Sequence, residues 1–262
     1  MADNKASQIA SMADRLFTAQ ITAQAIAPIS KSQLDLNLDD AYAIQLTNIQ
    51  RAVAAGDRIS GKKIGLTSLG MQQLLGVVEP DYGHLLESMA VRQSQVAMAG
   101  LLQPRIEAEI AFILKADLRG PELTAADVLA ATDYVVGAFE IVDSRIADWK
   151  ITLLDTVADN ASSGRYLLGE KRFRPEDIDL VAETVQFYKN DQLYNSGSGR
   201  DVLGDPAFCV AWLANKLSSY GVTLNRGEVV LSGALSAAAD AVSGDVFRAE
   251  YAHLGKIIAS FI

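Results

Sequence analysis

Apolar positions recur at helical spacing through the first third of the chain and at strand spacing through the rest. Ile9, Met12 and Leu16 fall on one helix face, and Tyr42, Leu46, Ile49 and Val53 repeat that period. Asn37 stands where an N-cap belongs, Asp40 lies in the first turn after it, and Gly56 supplies a stop. Ser68 to Leu75 predicts a short third helix that ends near Gly76. From residue 101 onward, runs of β-branched, aromatic and aliphatic residues predict strands over 106–114, 135–142, 183–188, 192–195, 228–233, 245–251 and 256–261. Asn190-Asp191 between the third and fourth predicts a tight hairpin. Helices are expected at 124–132, capped by Thr124, and at 206–219, with Asp205 as cap, Pro206 first in the helix and Gly221 just past its end. No repeat or low-complexity segment interrupts the pattern. The fold class that follows is α+β: a small helical portion over 1–75 integrated with an α+β unit over 76–262, the boundary between them soft.

Two of the expected strands carry charges where apolar residues belong. In Arg105-Ile106-Glu107-Ala108-Glu109-Ile110-Ala111-Phe112, period two puts Glu107 and Glu109 on one face, with Cβ atoms roughly 6.5–7 Å apart. Glu140 interrupts the run from Tyr134 to Val142 in the same way. Like charges in apolar strands repel and lose hydration, so they need a compensating partner. A divalent cation is the simplest. Hard oxygen donors without a nearby His or Cys suit Mg²⁺ or Mn²⁺ better than zinc. The alternative is a half-exposed sheet face on which each Glu meets water.

Composition narrows the function class. With 262 residues the chain can bury a sizeable core, and half-hydrophobic, 21% charged usage is that of a soluble protein. A formal charge of −9 with no Lys/Arg block argues against a nucleic-acid partner. The opening MADNKASQ is polar, without the apolar core of a signal peptide, and no apolar run approaches membrane-span length. Cys209 is the single cysteine, so no disulfide forms within the chain and a cytoplasmic setting is expected.

Other polar motifs each allow two readings. Lys62 and Lys63 enter a Gly-containing turn; a lysine beside a metal site can bind a carboxylate or donate a proton, and otherwise it is edge charge. Asp81, in Glu79-Pro80-Asp81-Tyr82-Gly83, is a general base or a turn residue. Asp143 either supports the metal site or pairs locally with Arg145. The small polar run Asp155-Thr156-Val157-Ala158-Asp159-Asn160-Ala161-Ser162 brings Ser162 to a ligand or is a capped turn. Gly197-Ser198-Gly199 through Gly204 reads as a flexible loop, too weak a signal for phosphate binding. His84 and His253 are too scattered for a His-based site, and Cys209 reads as a packed thiol.

Taken in order, GKKIGLTS (61–68), EPDYG (79–83), QPRIEAEIAF (103–112), FEIVDSRIADWK (139–150), DTVADNAS (155–162) and VAWLANKL (210–217) resemble the 2-keto-4-pentenoate hydratase/4-oxalocrotonate decarboxylase family of the fumarylacetoacetate hydrolase-like superfamily. The likeness runs from the helix at Asp40 to the last strand. It implies a mixed β-roll with a helical N-terminal part, assembled into homo-oligomers, and Mg²⁺ or Mn²⁺ held by Glu107, Glu109 and Glu140. It further implies that Lys63 and Asp81 are catalytic, with Ser162 and Gln103 as substrate contacts. The expected reaction is addition of water to a 2-hydroxy-2,4-dienoate, giving a 4-hydroxy-2-oxo acid in aromatic catabolism; Asp81 in the Pro-Asp-Tyr-Gly turn follows the hydratase pattern. Ser232-Gly233-Ala234-Leu235-Ser236 and Tyr251-Ala252-His253-Leu254-Gly255 depart from it. Decarboxylation of 4-oxalocrotonate on the same site is the alternative, and a complex with a related decarboxylase or hydratase a further implication. Hydrolysis of an acylpyruvate is disfavoured by the scarcity of His, and a non-catalytic subunit by the completeness of the site groups.

Overall fold

The two apolar runs that carry the acids become the longest strands of the molecule and lie side by side. In the computed structural model, which describes residues 2–32 and 35–262, the chain begins with α1 (Ala2–Thr22), α2 (Leu38–Ala54), β1 (Ile59–Gly65), α3 (Leu69–Leu75), β2 (Asp81–Leu86) and β3 (Gln95–Val96). The central part is β4 (Arg105–Leu114), α4 (Ala125–Ala131), β5 (Thr132–Val142), α5 (Leu153–Ala158), β6 (Ser163–Leu168), β7 (Thr184–Lys189) and β8 (Gln192–Ser198). The chain closes with α6 (Pro206–Ser218), β9 (Val229–Ala234), β10 (Ala239–Asp240), β11 (Val246–Tyr251) and β12 (Lys256–Phe261). The architecture is α+β, as the pattern of elements predicts.

Seven strands form the larger sheet, in the order β2-β1-β9-β4-β5-β6 with β10 also paired to β4; the smaller runs β3-β12-β11-β7-β8. An aromatic chain joins the two. Phe139 on β5 lies 5.9 Å from Phe187 on β7, which stacks on Phe247 at 5.8 Å, and Phe261 meets Phe247 edge-on at 5.5 Å. All four rings are fully buried, and each contributes roughly 1.5–3 kcal/mol of apolar burial. A polar tie reinforces the joint: the Tyr251 hydroxyl on β11 sits 2.8 Å from the Glu109 carbonyl and 3.0 Å from that of Ala138. Helix α6 packs against β1, β9 and α4, while α2 packs against α1 and α5.

The expected caps form. Asn37 accepts from the Asp40 amide and Asp40 accepts from the Asn37 amide; Thr124 and Asp127 form the same reciprocal cap on α4, while Ser68 and Asp205 accept one amide each at the starts of α3 and α6. Asn190 and Asp191 both take positive φ, 50° and 61°, as a two-residue hairpin turn requires. Each of the seven expected strands is present. On α2 the buried stripe is Ala41, Tyr42, Ile44, Gln45 and Ile49, whereas Leu46 and Val53 are exposed, so the apolar period overstates the buried face. Strands β1, β2, β3, β6 and β10 are additional, and β1 bonds to β2 and β9 within the larger sheet. The segment read as a Gly-rich loop instead closes β8: a Cβ at Gly197 would lie 1.8 Å from the Leu235 carbonyl oxygen, so the glycine serves close packing.

Candidate metal centre

Strand register brings the three acids together. Glu107 lies directly opposite Glu140 in the antiparallel β4–β5 ladder, and Glu109 is opposite Ala138, two residues on along the same face. Like charges opposite each other destabilise a sheet unless something compensates. One oxygen from each of Glu107, Glu109 and Glu140 lies within 4.8 Å of the others, which compares with the ~4–5 Å diameter of the oxygen shell around a hard divalent cation. Glu109 and Glu140 are wholly buried and Glu107 half-buried.

Lys63 on β1 and Asp81 on β2 join this cluster from the far side of β9, the strand that separates β1 from β4. Lys63 Nζ stands 3.3 Å from Glu140 Oε1, an ion pair without hydrogen-bond alignment. The β1–β2 register sets Gly65 opposite Asp81. A Cβ at Gly65 would lie 2.2 Å from Asp81 Oδ1 and 3.4 Å from Lys63 Nζ, so the missing side chain is the room these two groups occupy.

Electrostatically the cluster is short of positive charge. Four carboxylates face one ammonium. Burial raises the Glu109 carboxyl well above its ordinary range, and the neighbouring Glu140 and Glu107 raise it further. Burial pushes Glu140 up to about 7 against the pull of Lys63, and it also raises Glu107 and Asp81. For Lys63 burial works the other way, but Glu140, Asp81, Glu107 and Glu109 outweigh it and hold the ammonium above its usual range. Glu109 Oε2 accepts from the Gly233 amide at 2.8 Å. Glu109 Oε1, both Glu140 oxygens and Asp81 Oδ1 are buried without a hydrogen-bond partner. Orphaned buried carboxylate oxygens cost free energy unless a cation takes them up. The donor set therefore fits Mg²⁺ or Mn²⁺, which prefer oxygen ligands.

Ser162 approaches from a turn in which Asn160, Ala161 and Ser162 all have positive φ, a conformation costly for non-glycine residues. Its hydroxyl lies 3.4 Å from that of Thr156, which draws the Asp81 carboxyl down against the larger effect of burial. Two devices hold the turn. The Asn160 amide pairs with the backbone of His84 through bonds of 2.7 and 2.9 Å. Arg145 pairs with Asp159 and donates to the carbonyls of Asp143, Ser163 and Asp159.

Of the two readings of Asp143, the side-chain pair with Arg145 does not form, because Asp143 accepts the backbone amides of Leu102 and Gln103 while Asp159 takes the guanidinium. Gln103 lies apart from the carboxylates: its side-chain amide is committed to the carbonyls of Ser144 and Ile146, and its own carbonyl holds the Trp149 indole at 3.0 Å. His84 points to the opposite sheet face, against Gln45, and Cys209 is a buried thiol that burial pushes up to about 12. Sequence reasoning missed Thr156, Asn160, Gly233 and the Arg145–Asp159 pair. Only the small polar run at 155–162 hinted at the first two.

Residues 81–262 match the family model described as fumarylacetoacetate (FAA) hydrolase C-terminal. The chain is 46% identical over 242 residues to a 2-hydroxyhexa-2,4-dienoate hydratase of Comamonas testosteroni, covering 91% of this chain and 92% of the relative. It is 47% identical over 213 residues to a 2-hydroxypent-2,4-dienoate hydratase of Pseudomonas putida, covering 80% and 96%. Among solved structures, 4-oxalocrotonate decarboxylase from Pseudomonas putida G7, complexed with magnesium and adipate, superposes with a TM-score of 0.95 over 98% of both chains at 35% identity.

Proposed function

The chain belongs to the fumarylacetoacetate hydrolase C-terminal family, and from that premise we propose that it is a divalent-cation-dependent hydratase of short 2-hydroxy-2,4-dienoates, acting in the breakdown of aromatic compounds. The observation that carries this reading is the likeness, at 46 and 47% identity along most of the chain, to relatives named as dienoate hydratases.

Glu107, Glu109 and Glu140 would hold Mg²⁺ or Mn²⁺, which when bound supplies a Lewis acid that stabilises negative charge at the substrate's 2-oxo oxygen. Lys63, kept charged by the surrounding carboxylates, binds the substrate carboxylate together with the Ser162 hydroxyl. Asp81, with an unpartnered oxygen and a carboxyl that burial keeps protonated to higher pH, serves as the proton shuttle. Proton gain at C5 with loss of the 2-hydroxyl proton converts the dienol to a 3-en-2-one. The oxygen of water then adds at C4, its proton passes to Asp81, and C3 takes a proton; the sum is one water gained. Gln103 shapes the rim through Trp149. The protein works in the cytoplasm, a setting its single buried thiol suits, as a homo-oligomer or in a complex with a related decarboxylase or hydratase.

Decarboxylation is the second reading, favoured by the whole-chain superposition on a decarboxylase. Both reactions use the same charge stabilisation, so the substrate decides. With Mg²⁺ present, the five-carbon 2-hydroxypenta-2,4-dienoate and the six-carbon dicarboxylate 2-oxo-3-hexenedioate are offered side by side and products identified by NMR. Preferential formation of 4-hydroxy-2-oxopentanoate supports the hydratase. Preferential CO₂ release from the dicarboxylate moves the assignment to decarboxylase.

A further inference from the structure

The face that carries the acids also carries a cation at its outer end. The β4–β5 register is unbroken from Arg105 to Ile113, so Arg105 projects from the same face as Glu107 and Glu109. Exposure rises along that face, from fully buried Glu109 through half-buried Glu107 to Arg105, whose side chain is 38% exposed. The end of this face that opens to solvent is therefore the end at Arg105. Two residues of strand span ~6.5–7 Å, about the length of a five- or six-carbon chain.

The guanidinium is held but not used up. Its carbon lies 4.5 Å from the centre of the Trp149 ring, which is fixed in turn by the Gln103 carbonyl. Nε donates to Asp240 Oδ1 at 2.8 Å, and Asp240 is the direct cross-strand partner of Arg105 on β10. Asp240 is 80% exposed, so the pair stands at the solvent edge of the face. No Nη atom donates to a protein acceptor among the described residues, which leaves the fork that matches a carboxylate.

Resting on the hydratase reading of the inner site, we propose that Arg105 reads the charge at the far end of the substrate and that Asp240 sets the answer. By neutralising Arg105, Asp240 biases the site toward dienoates with an uncharged tail. Without it, the free fork takes a distal carboxylate and the preference moves to dicarboxylic 2-hydroxydienoates.

Adipate and hexanoate, equal in length and different only at the far end, are the probes. Their dissociation constants are measured by calorimetry on the Mg²⁺-loaded protein, for the wild type, Asp240→Asn and the double variant Asp240→Asn/Arg105→Gln. Asp240→Asn is expected to tighten adipate about 5- to 10-fold with hexanoate changed less than 2-fold, and the added Arg105→Gln to abolish the gain. An unchanged adipate-to-hexanoate ratio in Asp240→Asn, or a gain that survives Arg105→Gln, overturns the proposal. Asp240 is exposed, so its variant tests the idea even if the double variant does not fold. The readout is binding, so it stands or falls separately from hydration of the five-carbon dienoate.

Discussion

Lys63 Nζ and Glu140 Oε1 form an ion pair at 3.3 Å, with both side chains almost wholly shut off from solvent. It is one ammonium among four carboxylates, and its charge is of more use to a substrate carboxylate than to protein stability, since a buried pair is weak evidence for stabilisation. Replacing Lys63 with Met should lower kcat by roughly 10²–10⁴-fold, the range for a lost proton-transfer group. Mn²⁺ binding should persist. Steady-state kinetics and calorimetry on the same preparation check both halves.

Glu109 carries the strongest repulsion in the cluster, since burial, Glu140 and Glu107 all raise its carboxyl. Glu109→Gln should remove Mn²⁺ binding and turnover together. In EDTA the variant should melt about 2–4 °C above the wild type, because one repelling charge is gone and relief of about 1 kcal/mol corresponds to such a shift at this chain length. Calorimetric melts with and without Mn²⁺ decide it. A variant that binds the ion as tightly as the wild type removes Glu109 from the site.

Metal affinity should depend on pH in a defined direction. The Glu140 carboxyl, pushed up to about 7 by burial, and the raised carboxyls of Glu109 and Glu107 must release protons to bind a cation. Mn²⁺ affinity should therefore weaken as pH falls from 8 to 6, by up to about tenfold per pH unit for each proton displaced. Titrations at pH 6, 7 and 8 measure the slope.

These acids were legible because each breaks an apolar run at a position that alternation assigns to one face. The strands that supply Lys63 and Asp81 were not. Ile59–Gly65 sets Lys62 and Lys63 next to each other, so both faces carry a buried cation: Lys63 meets Glu140, and Lys62 meets Glu228 at 3.2 Å on the other side. In Asp81–Leu86 all six residues are buried, charged ones included. A strand buried on both faces has no alternation to read, and its charges are explained only by partners far away in sequence. Gln103 illustrates the reverse limit: a polar residue beside a motif, whose amide is spent on the backbone carbonyls of a neighbouring loop.

The left-handed turn at Asn160-Ala161-Ser162 depends on Arg145. Removing the guanidinium by Arg145→Met strands Asp159 as an unpaired buried carboxyl, already raised to about 6 by burial, and frees three backbone carbonyls. A loss of about 3–5 kcal/mol is expected for breaking such a pair. Denaturant unfolding gives the magnitude, and a loss below about 1 kcal/mol counts against the clamp.

Acid sensitivity has a separate source in His84. Burial, and the nearby Lys62, drop its pKa to about 3 from an ordinary 6.5. The unfolded chain then binds the extra proton between those values, so the contribution is complete above pH 6.5 and is lost as pH falls, by about 1 kcal/mol per pH unit. His84→Gln should flatten the fall in stability between pH 6.5 and 4 relative to the wild type, as read from melting temperatures across that range.

The central claim is that the buried acid cluster holds a divalent cation without which water does not add to the dienoate. Protein stripped with EDTA and dialysed is given 2-hydroxypenta-2,4-dienoate in H₂¹⁸O, with and without Mg²⁺, and the product is read by NMR and mass spectrometry. The account predicts 4-hydroxy-2-oxopentanoate carrying ¹⁸O at C4, formed only when Mg²⁺ is restored. Equal turnover without the metal, or no hydrated product in its presence, would contradict it.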